Sequence, residues 1–194
     1  MPQISPAEFH ALPLRVHAFL ADVPLHDVWA VDLPARRDRI TLSEFLQRSN
    51  RGGIAKLPPA SRALLRFRLL LGRIFALEAE PKDAASASFA NRLTPEDRAR
   101  SLLAPGTPEG LFRVLYRFEN EQLVELHNRT VHAAAASALA KTPAGYRFYF
   151  AVYVRPTTWV TPLYMRLIDP FRKWLIYPAM LKTIRAAWDR NSVS

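Results

Sequence analysis

Hydrophobic residues in the middle of the chain recur with the period of a helix, whereas those after residue 110 alternate with polar residues. Between Pro59 and Leu77, large apolar residues follow three- and four-residue steps, and arginines fall between them. This spacing predicts an amphipathic helix that packs on a sheet. The alternation that begins at Leu111 is typical of half-buried strands. Helical and strand periods in one chain predict an α+β protein.

Strand-like runs dominate the second half of the chain. The first covers residues 111–118 and turns at residues 119–121, the second continues through an alanine-rich run over residues 123–139, and the third covers residues 146–155. Strict alternation would place four apolar side chains of the first run on one face: Phe112, Val114, Tyr116 and Phe118. We expect a hollow where the small alanine side chains face aromatic rings.

The first half of the chain has fewer regular elements. Residues 28–33 alternate and end at a proline, which predicts a strand, and Thr41 with Glu44 forms a capping box that predicts a short helix. We interpret residues 1–25 as a lead-in segment that lies across the body of the protein. Residues 78–110 are rich in alanine, serine, proline and charge, and we interpret them as an irregular connection or a lid.

The last part of the chain predicts a long, kinked helix that begins after Thr161 and ends near Trp188. Thr161 is a favourable N-cap, and a proline follows it at the first helical position. A proline inside a helix removes a backbone hydrogen bond at a cost of about 3 kcal/mol, so kinks are expected at Pro170 and Pro178. Apolar residues continue across both prolines at helical spacing, which indicates one buried face.

Three segments carry a family resemblance: residues 110–114 (GLFRV), 125–130 (ELHNRT) and 164–172 (YMRLIDPFR). With this order of elements, the chain resembles an uncharacterised bacterial branch of the START-like (SRPBCC) superfamily. The resemblance covers about residues 14–188 and implies a helix-grip fold, in which a curved antiparallel sheet wraps around a long C-terminal helix. The chain length of 194 residues predicts a single domain over residues 1–194. The resemblance also implies that an apolar small molecule or lipid binds between sheet and helix. It carries no catalytic signature.

Composition and charge narrow the choice of partners. The 194 residues include 27 lysines and arginines against 17 aspartates and glutamates, a net charge of +10. Such a charge attracts anionic surfaces, and the tryptophans and basic residues near the C-terminus suit peripheral contact with an anionic membrane. The basic residues are spread along the chain without a nucleic-acid-binding motif, which argues against nucleic acid. With no cysteine and no visible export signal, we expect a cytoplasmic protein that contacts membranes at most peripherally.

We expect the ligand to lie against mainly aromatic residues of the sheet and the C-terminal helix. The predicted lining consists of Trp29, Tyr116, Phe118, Tyr146, Phe148, Phe150, Leu167, Phe171 and Trp174. Glu125, His127 and Arg129 share strand parity, which makes them candidates for binding the polar end of a ligand. The same three residues would also fit an ordinary solvated strand face.

These observations support three functional hypotheses, of which the sequence favours the first. The first is a binding protein for an apolar small molecule or lipid that needs no cofactor. The second is a cyclase or dehydratase in which Glu125 and His127 act as acid and base. The third is a basic interaction module without a ligand. No metal site is expected, because the odd spacing of His127 and His132 places them on opposite sides of a continuous strand.

Overall fold

An open, curved, six-stranded antiparallel sheet forms the centre of the protein. The computed structural model describes residues 3–34, 40–49, 84–128, 131–156, 165–166, 169–170 and 172–190. The strands are β1 Leu25–Pro34, β2 Pro108–Glu109, β3 Phe112–Arg117, β4 Glu121–His127, β5 Val131–Thr142 and β6 Gly145–Pro156. Their spatial order is β1-β6-β5-β4-β3-β2, so β1 alone lies out of chain order. The predicted α+β class and antiparallel sheet are confirmed.

Short helices precede and follow the strands. They are α1 Pro6–His10, α2 Arg15–Phe19, α3 Leu42–Ser49, α4 Ala84–Ala87, a 3₁₀ helix at Phe89–Arg92, α5 Pro95–Arg100, a π-helical turn at Arg172–Ile176 and α6 Tyr177–Arg190. The predicted capping box of α3 is present, because Glu44 N donates to Thr41 Oγ1 and Thr41 N donates to Glu44 Oε2. The helix predicted at residues 59–77 lies outside the described residues. No helix in the described ranges has the length and apolar character needed to cross a membrane.

A β-bulge in β3 changes which of its side chains share a face. Val114 pairs with Val124 and Tyr116 pairs with Leu123, so Leu115 is the extra residue. An extra residue reverses the alternation beyond it. Tyr116 therefore packs in a different hydrophobic cluster from Val114, on the opposite side of the sheet. The single face predicted for the four apolar residues of this run is wrong, because it assumed unbroken alternation.

Different parts of the chain cover the two faces of the sheet. One face of the sheet packs against α1, α2 and the 3₁₀ helix, and we call it the N-terminal face; these helices contribute the buried side chains of Phe9, Val16, Phe19 and Phe89. The other face packs against α3 and α6, and we call it the C-terminal face; these helices contribute the buried side chains of Phe45, Leu181, Ile184 and Trp188. Residues 78–110 are interpreted from the sequence as a connection or lid, and the described part of this segment, residues 84–110, supplies part of the core through Phe89.

The C-terminal helix is shorter than the sequence predicted. It begins at Tyr177 and has 14 residues, after a π-helical turn of five residues. The π-helical turn ends at Ile176, shortly before Pro178, whose missing N–H would donate to the Trp174 carbonyl in a continuous α-helix. The expected single long helix from Thr161 is therefore not confirmed, and residues 161–164 lie outside the described residues.

Candidate ligand-binding site

Asp27 and Trp29 lie two residues apart on β1, on the C-terminal face. Asp27 pairs with Val152 of β6, and Trp29 pairs with Phe150. Both side chains are buried, and Asp27 is only 3% exposed. Asp27 Oδ1 and Trp29 Nε1 have no hydrogen-bond partner among the described residues. A buried acceptor and a buried donor without partners therefore occupy neighbouring positions on one strand face.

Aromatic rings from the sheet and from α6 meet beside these two atoms. The Tyr177 ring, at the start of α6, contacts the rings of Trp29 and Phe150 edge-on, with centroids 5.5 Å apart in each case. Phe150 and Met180 pack at the margin of this cluster and are only partly buried. The strands and the helix thus supply aromatic rings against Trp29, on the face of β1 that also carries Asp27.

Arg172 links Asp27 to the turn that precedes α6. Its Nη2 lies 3.3 Å from Asp27 Oδ2, and its Nη1 donates to Asp169 Oδ1 at 2.8 Å. Its Nε donates to the Tyr177 hydroxyl at 2.7 Å. His26 Nε2 lies 2.8 Å from Asp169 Oδ2 and adds a second link between β1 and this turn. The guanidinium of Arg172 is therefore already engaged by three side chains of the protein.

The ionisation of the cluster follows from its burial. Burial raises the pKa of Asp27 above its usual value, and the opposing charge of Arg172 does not fully offset this rise. Burial also raises the pKa of the Tyr177 hydroxyl. For Arg172, burial lowers the pKa, but the neighbouring Tyr177 and Asp27 outweigh it and raise the value overall. Arg172 therefore stays charged, and the Asp27 carboxylate would gain from a further hydrogen-bond donor.

His26, Asp27 and Asp169 also have the donor types of a cation site. Their ligand atoms lie within 4.8 Å of one another. The two carboxylates are, however, already compensated by the guanidinium of Arg172 and by Lys173 Nζ, which lies 3.8 Å from Asp169 Oδ2. A divalent cation would face two fixed positive charges, so these residues do not fit a metal.

A second polar cluster lies on the N-terminal face and contains Glu125. Its Oε2 accepts from Ser88 Oγ at 2.6 Å, and its Oε1 accepts from Phe89 N at 2.8 Å. His132 Nε2 lies 2.6 Å from the same Oε1. Burial raises the pKa of Glu125, but these hydrogen bonds outweigh burial and hold the pKa below its usual value. The carboxylate thus anchors the start of the 3₁₀ helix.

His127 and His132 lie on the same side of the sheet. They pair directly across the β4–β5 hairpin, and their rings stack with centroids 4.1 Å apart. The Phe89 ring also stacks on the His132 ring, with centroids 3.9 Å apart. The prediction that the two histidines point to opposite sides was wrong, because they belong to two antiparallel strands, β4 ending at His127 and β5 beginning at Val131, and not to one continuous strand. Glu125 consequently contacts His132, the residue that the sequence argument had set apart from it.

The structure divides the predicted ligand-binding residues between the two faces. On the C-terminal face lie Trp29, Tyr146, Phe148 and Phe150. On the N-terminal face lie Tyr116, Phe118, Glu125 and His127. Trp174 is 83% exposed, so its ring lies on the surface and not in the ligand site between sheet and helix where the sequence analysis expected it. Arg129, Leu167 and Phe171 lie outside the described residues. One cavity cannot be lined by both groups, because the sheet separates them.

Several residues of the C-terminal-face site were not selected from the sequence. Asp27 immediately precedes the predicted strand and shares the parity of Trp29, which is the signal that could have included it. Asp169 and Arg172 stand in the segment that carries the family resemblance. Nothing in the local pattern connects either residue to β1, since 145 positions separate Asp27 from Arg172.

Comparisons with known proteins identify a family and no individual relative. The family model that matches residues 19–180 is described as a protein of unknown function (DUF2867). No curated protein and no solved structure matches the chain.

Proposed function

Since the chain belongs to the DUF2867 family, whose function is unknown, we propose from the site itself that the protein binds an apolar small molecule or lipid between β1, β6 and α6. The observation that carries this proposal is the unpartnered pair of Asp27 Oδ1 and Trp29 Nε1. A buried polar group without a partner costs about 1–3 kcal/mol. A ligand that supplies partners to both atoms recovers much of that cost.

The apolar surroundings determine the rest of the ligand. The rings of Trp29, Phe150 and Tyr177 provide contact surface, and Phe150 is only partly buried. Burial of apolar surface contributes about 25 cal/mol per Å², so an apolar molecule can bind with only one or two polar contacts. The resemblance to START-like proteins supports the same location, because helix-grip proteins bind ligands between the sheet and the last helix. We propose a helix-grip arrangement for this sheet and α6.

The described residues lend less support to an acid–base enzyme. Within the described parts of β4 and β5, Glu125 and His132 form a buried carboxylate–imidazole contact, and they would be the acid and base. Both oxygens of Glu125 are, however, occupied by Ser88, Phe89 and His132. A carboxylate with this many partners within the protein serves to position the segment that packs on it.

The position of Trp174 supports peripheral contact with an anionic membrane. This residue is exposed, and the basic side chains of Lys182 and Arg185 are exposed further along the same C-terminal segment. Tryptophan inserts at the headgroup level of a membrane, and basic side chains are attracted to anionic lipids. We propose that this surface contacts the membrane from which a lipid ligand is taken.

Mass spectrometry of an organic extract of the purified protein tests the proposed function. The wild type is compared with Phe150→Ala, which truncates the C-terminal-face site, and with Phe118→Ala, a matched truncation on the N-terminal face. We expect an apolar compound in extracts of the wild type and of Phe118→Ala, and much less of it with Phe150→Ala. Equal retention by all three folded proteins would place the ligand elsewhere and refute the proposed site.

A further inference from the structure

The two unpartnered atoms on β1 require different hydrogen-bonding groups from a ligand. An indole Nε1 only donates, so Trp29 needs an acceptor, whereas an ionised carboxylate oxygen only accepts, so Asp27 Oδ1 needs a donor. An ether or ketone oxygen serves Trp29 alone, and an ammonium group serves Asp27 alone. A hydroxyl group donates and accepts, and can therefore serve both atoms.

The charges around the pair disfavour an anionic group on the ligand. A carboxylate or phosphate would approach the negative charge of Asp27. Arg172 is the nearest cation among the described residues, but its guanidinium is already bound to Asp27, Asp169 and the Tyr177 hydroxyl. An anion would have to displace one of these partners to gain a compensating charge. A buried arginine at this position therefore does not make the site an anion receptor.

The remaining contacts of the ligand are apolar. The Tyr177 ring lies edge-on to Trp29 and to Phe150 and closes the helix side of the site. Among the described residues, two basic side chains lie within 4.0 Å of the Asp27 carboxylate. Arg172 Nη2 is 3.3 Å from Asp27 Oδ2. His26 Nε2 is 4.0 Å from the same oxygen and lies closer, at 2.8 Å, to Asp169 Oδ2. Within the described part of this site, the hydrogen-bonding atoms without a partner are thus one acceptor, Asp27 Oδ1, and one donor, Trp29 Nε1.

We propose that the ligand is an apolar molecule with an uncharged hydroxyl group, which donates to Asp27 Oδ1 and accepts from Trp29 Nε1. This inference rests on the proposed function and adds the chemical class of the ligand. Molecules whose polar end is a carboxylate or a phosphate are excluded from the class.

Titration calorimetry with three probes of similar length tests this class. The probes are 1-decanol, nonyl methyl ether and decanoate, which offer a hydroxyl, an acceptor alone and an anion. We expect 1-decanol to bind the wild type roughly tenfold more tightly than either other probe, because it alone satisfies both atoms. Trp29→Phe should remove most of this preference. Trp188→Phe is the matched control, because the Trp188 indole donates to Pro34 O and is already satisfied.

The outcomes separate this inference from the proposed function. Equal binding of 1-decanol and the ether, or tighter binding of decanoate, would overturn the hydroxyl assignment and leave an apolar binding site in place. Binding of none of the three probes by the folded wild type would overturn the proposed function as well. The comparison of probes on the wild type decides the matter even where a variant fails to fold.

Discussion

Glu121 and Glu125 lie four residues apart on β4, and each carboxylate accepts a backbone N–H from the start of a short helix on the N-terminal face. Glu121 Oε2 accepts from Arg15 N at 2.7 Å, and Glu121 Oε1 accepts from Val16 N at 2.8 Å. Glu125 Oε1 accepts from Phe89 N at 2.8 Å. Backbone N–H groups at a helix start have no partner within the helix. The two glutamates therefore fix α2 and the 3₁₀ helix to the sheet.

Glutamine substitutions should separate these two contacts. One carboxylate oxygen of Glu121 accepts from Arg15 N and the other accepts from Val16 N. Glutamine replaces one of these oxygens with an NH₂ group, so in Glu121→Gln a side-chain N–H must face a backbone N–H. In Glu125→Gln, the amide N–H can donate to the Ser88 hydroxyl, which both donates and accepts. We expect Glu121→Gln to lower the free energy of unfolding by about 2–3 kcal/mol, and Glu125→Gln by about 1 kcal/mol. Urea denaturation measures both, and an equal or reversed cost would contradict this account.

The same two residues should respond to pH in opposite directions. The folded-state pKa of Glu125 lies below its ordinary value of 4.5, so its stabilisation is present above that value and is lost as pH falls through the folded pKa. Burial raises the folded pKa of Glu121, so its contribution is present below 4.5 and is lost as pH rises through the folded pKa. Unfolding free energies measured from about pH 6 to about pH 3 should fall less steeply in Glu125→Gln and more steeply in Glu121→Gln. Parallel profiles for the two variants and the wild type would disagree with this assignment.

The contact between Asp27 and Arg172 should couple β1 to the C-terminal helix. Arg172→Met leaves the buried Asp27 carboxylate without its counter-charge, which we expect to cost about 3 kcal/mol. Adding Asp27→Asn removes the uncompensated charge and should restore part of this loss. The unfolding free energies of both single variants and the double variant form a cycle, and we expect a coupling energy above about 1 kcal/mol. Additive effects would show that the two side chains do not interact energetically.

Trp174 should affect membrane contact without affecting stability. Its ring is exposed, so Trp174→Ala should change the unfolding free energy by less than about 0.5 kcal/mol. Co-sedimentation with phosphatidylglycerol vesicles should fall several-fold in Trp174→Ala and should also fall as salt rises. Unchanged sedimentation of the variant would remove Trp174 from the proposed membrane surface. Vesicles of phosphatidylcholine alone provide the uncharged control.

Part of the sheet could be predicted from the sequence because the signal of a strand is local. The alternation over residues 146–155 corresponds to β6, and the hairpin between β3 and β4 lies where the turn residues indicated. The run over residues 123–139 was predicted as one strand, whereas the structure divides it between β4 and β5, which pair as a hairpin. Period-2 alternation reports burial of one strand face and needs no knowledge of the rest of the fold. The bulge at Leu115 could not be predicted in this way, because the residue types of β3 do not distinguish the extra residue from its neighbours.

The candidate site could be predicted only in part. Trp29 and Phe150 were selected as apolar strand residues, and they do pair across β1 and β6. The polar half of the site depends on contacts between Asp27, Asp169 and Arg172, which the chain brings together from distant positions. The same limit explains why Glu125 was paired with its strand neighbour His127 instead of His132. Local periodicity places a side chain on a face, but tertiary structure determines its partner.

The indole resonances of the tryptophans offer the most direct test of the central claim, that a ligand binds at Trp29 and Asp27. In ¹⁵N–¹H spectra, the Trp29 indole signal is assigned by its loss in Trp29→Phe, and the protein is titrated with 1-decanol. We expect the Trp29 signal to shift progressively to saturation, while the Trp188 signal, whose N–H already donates to Pro34 O, stays in place. A Trp29 signal that remains unchanged while 1-decanol saturates the protein would contradict the account.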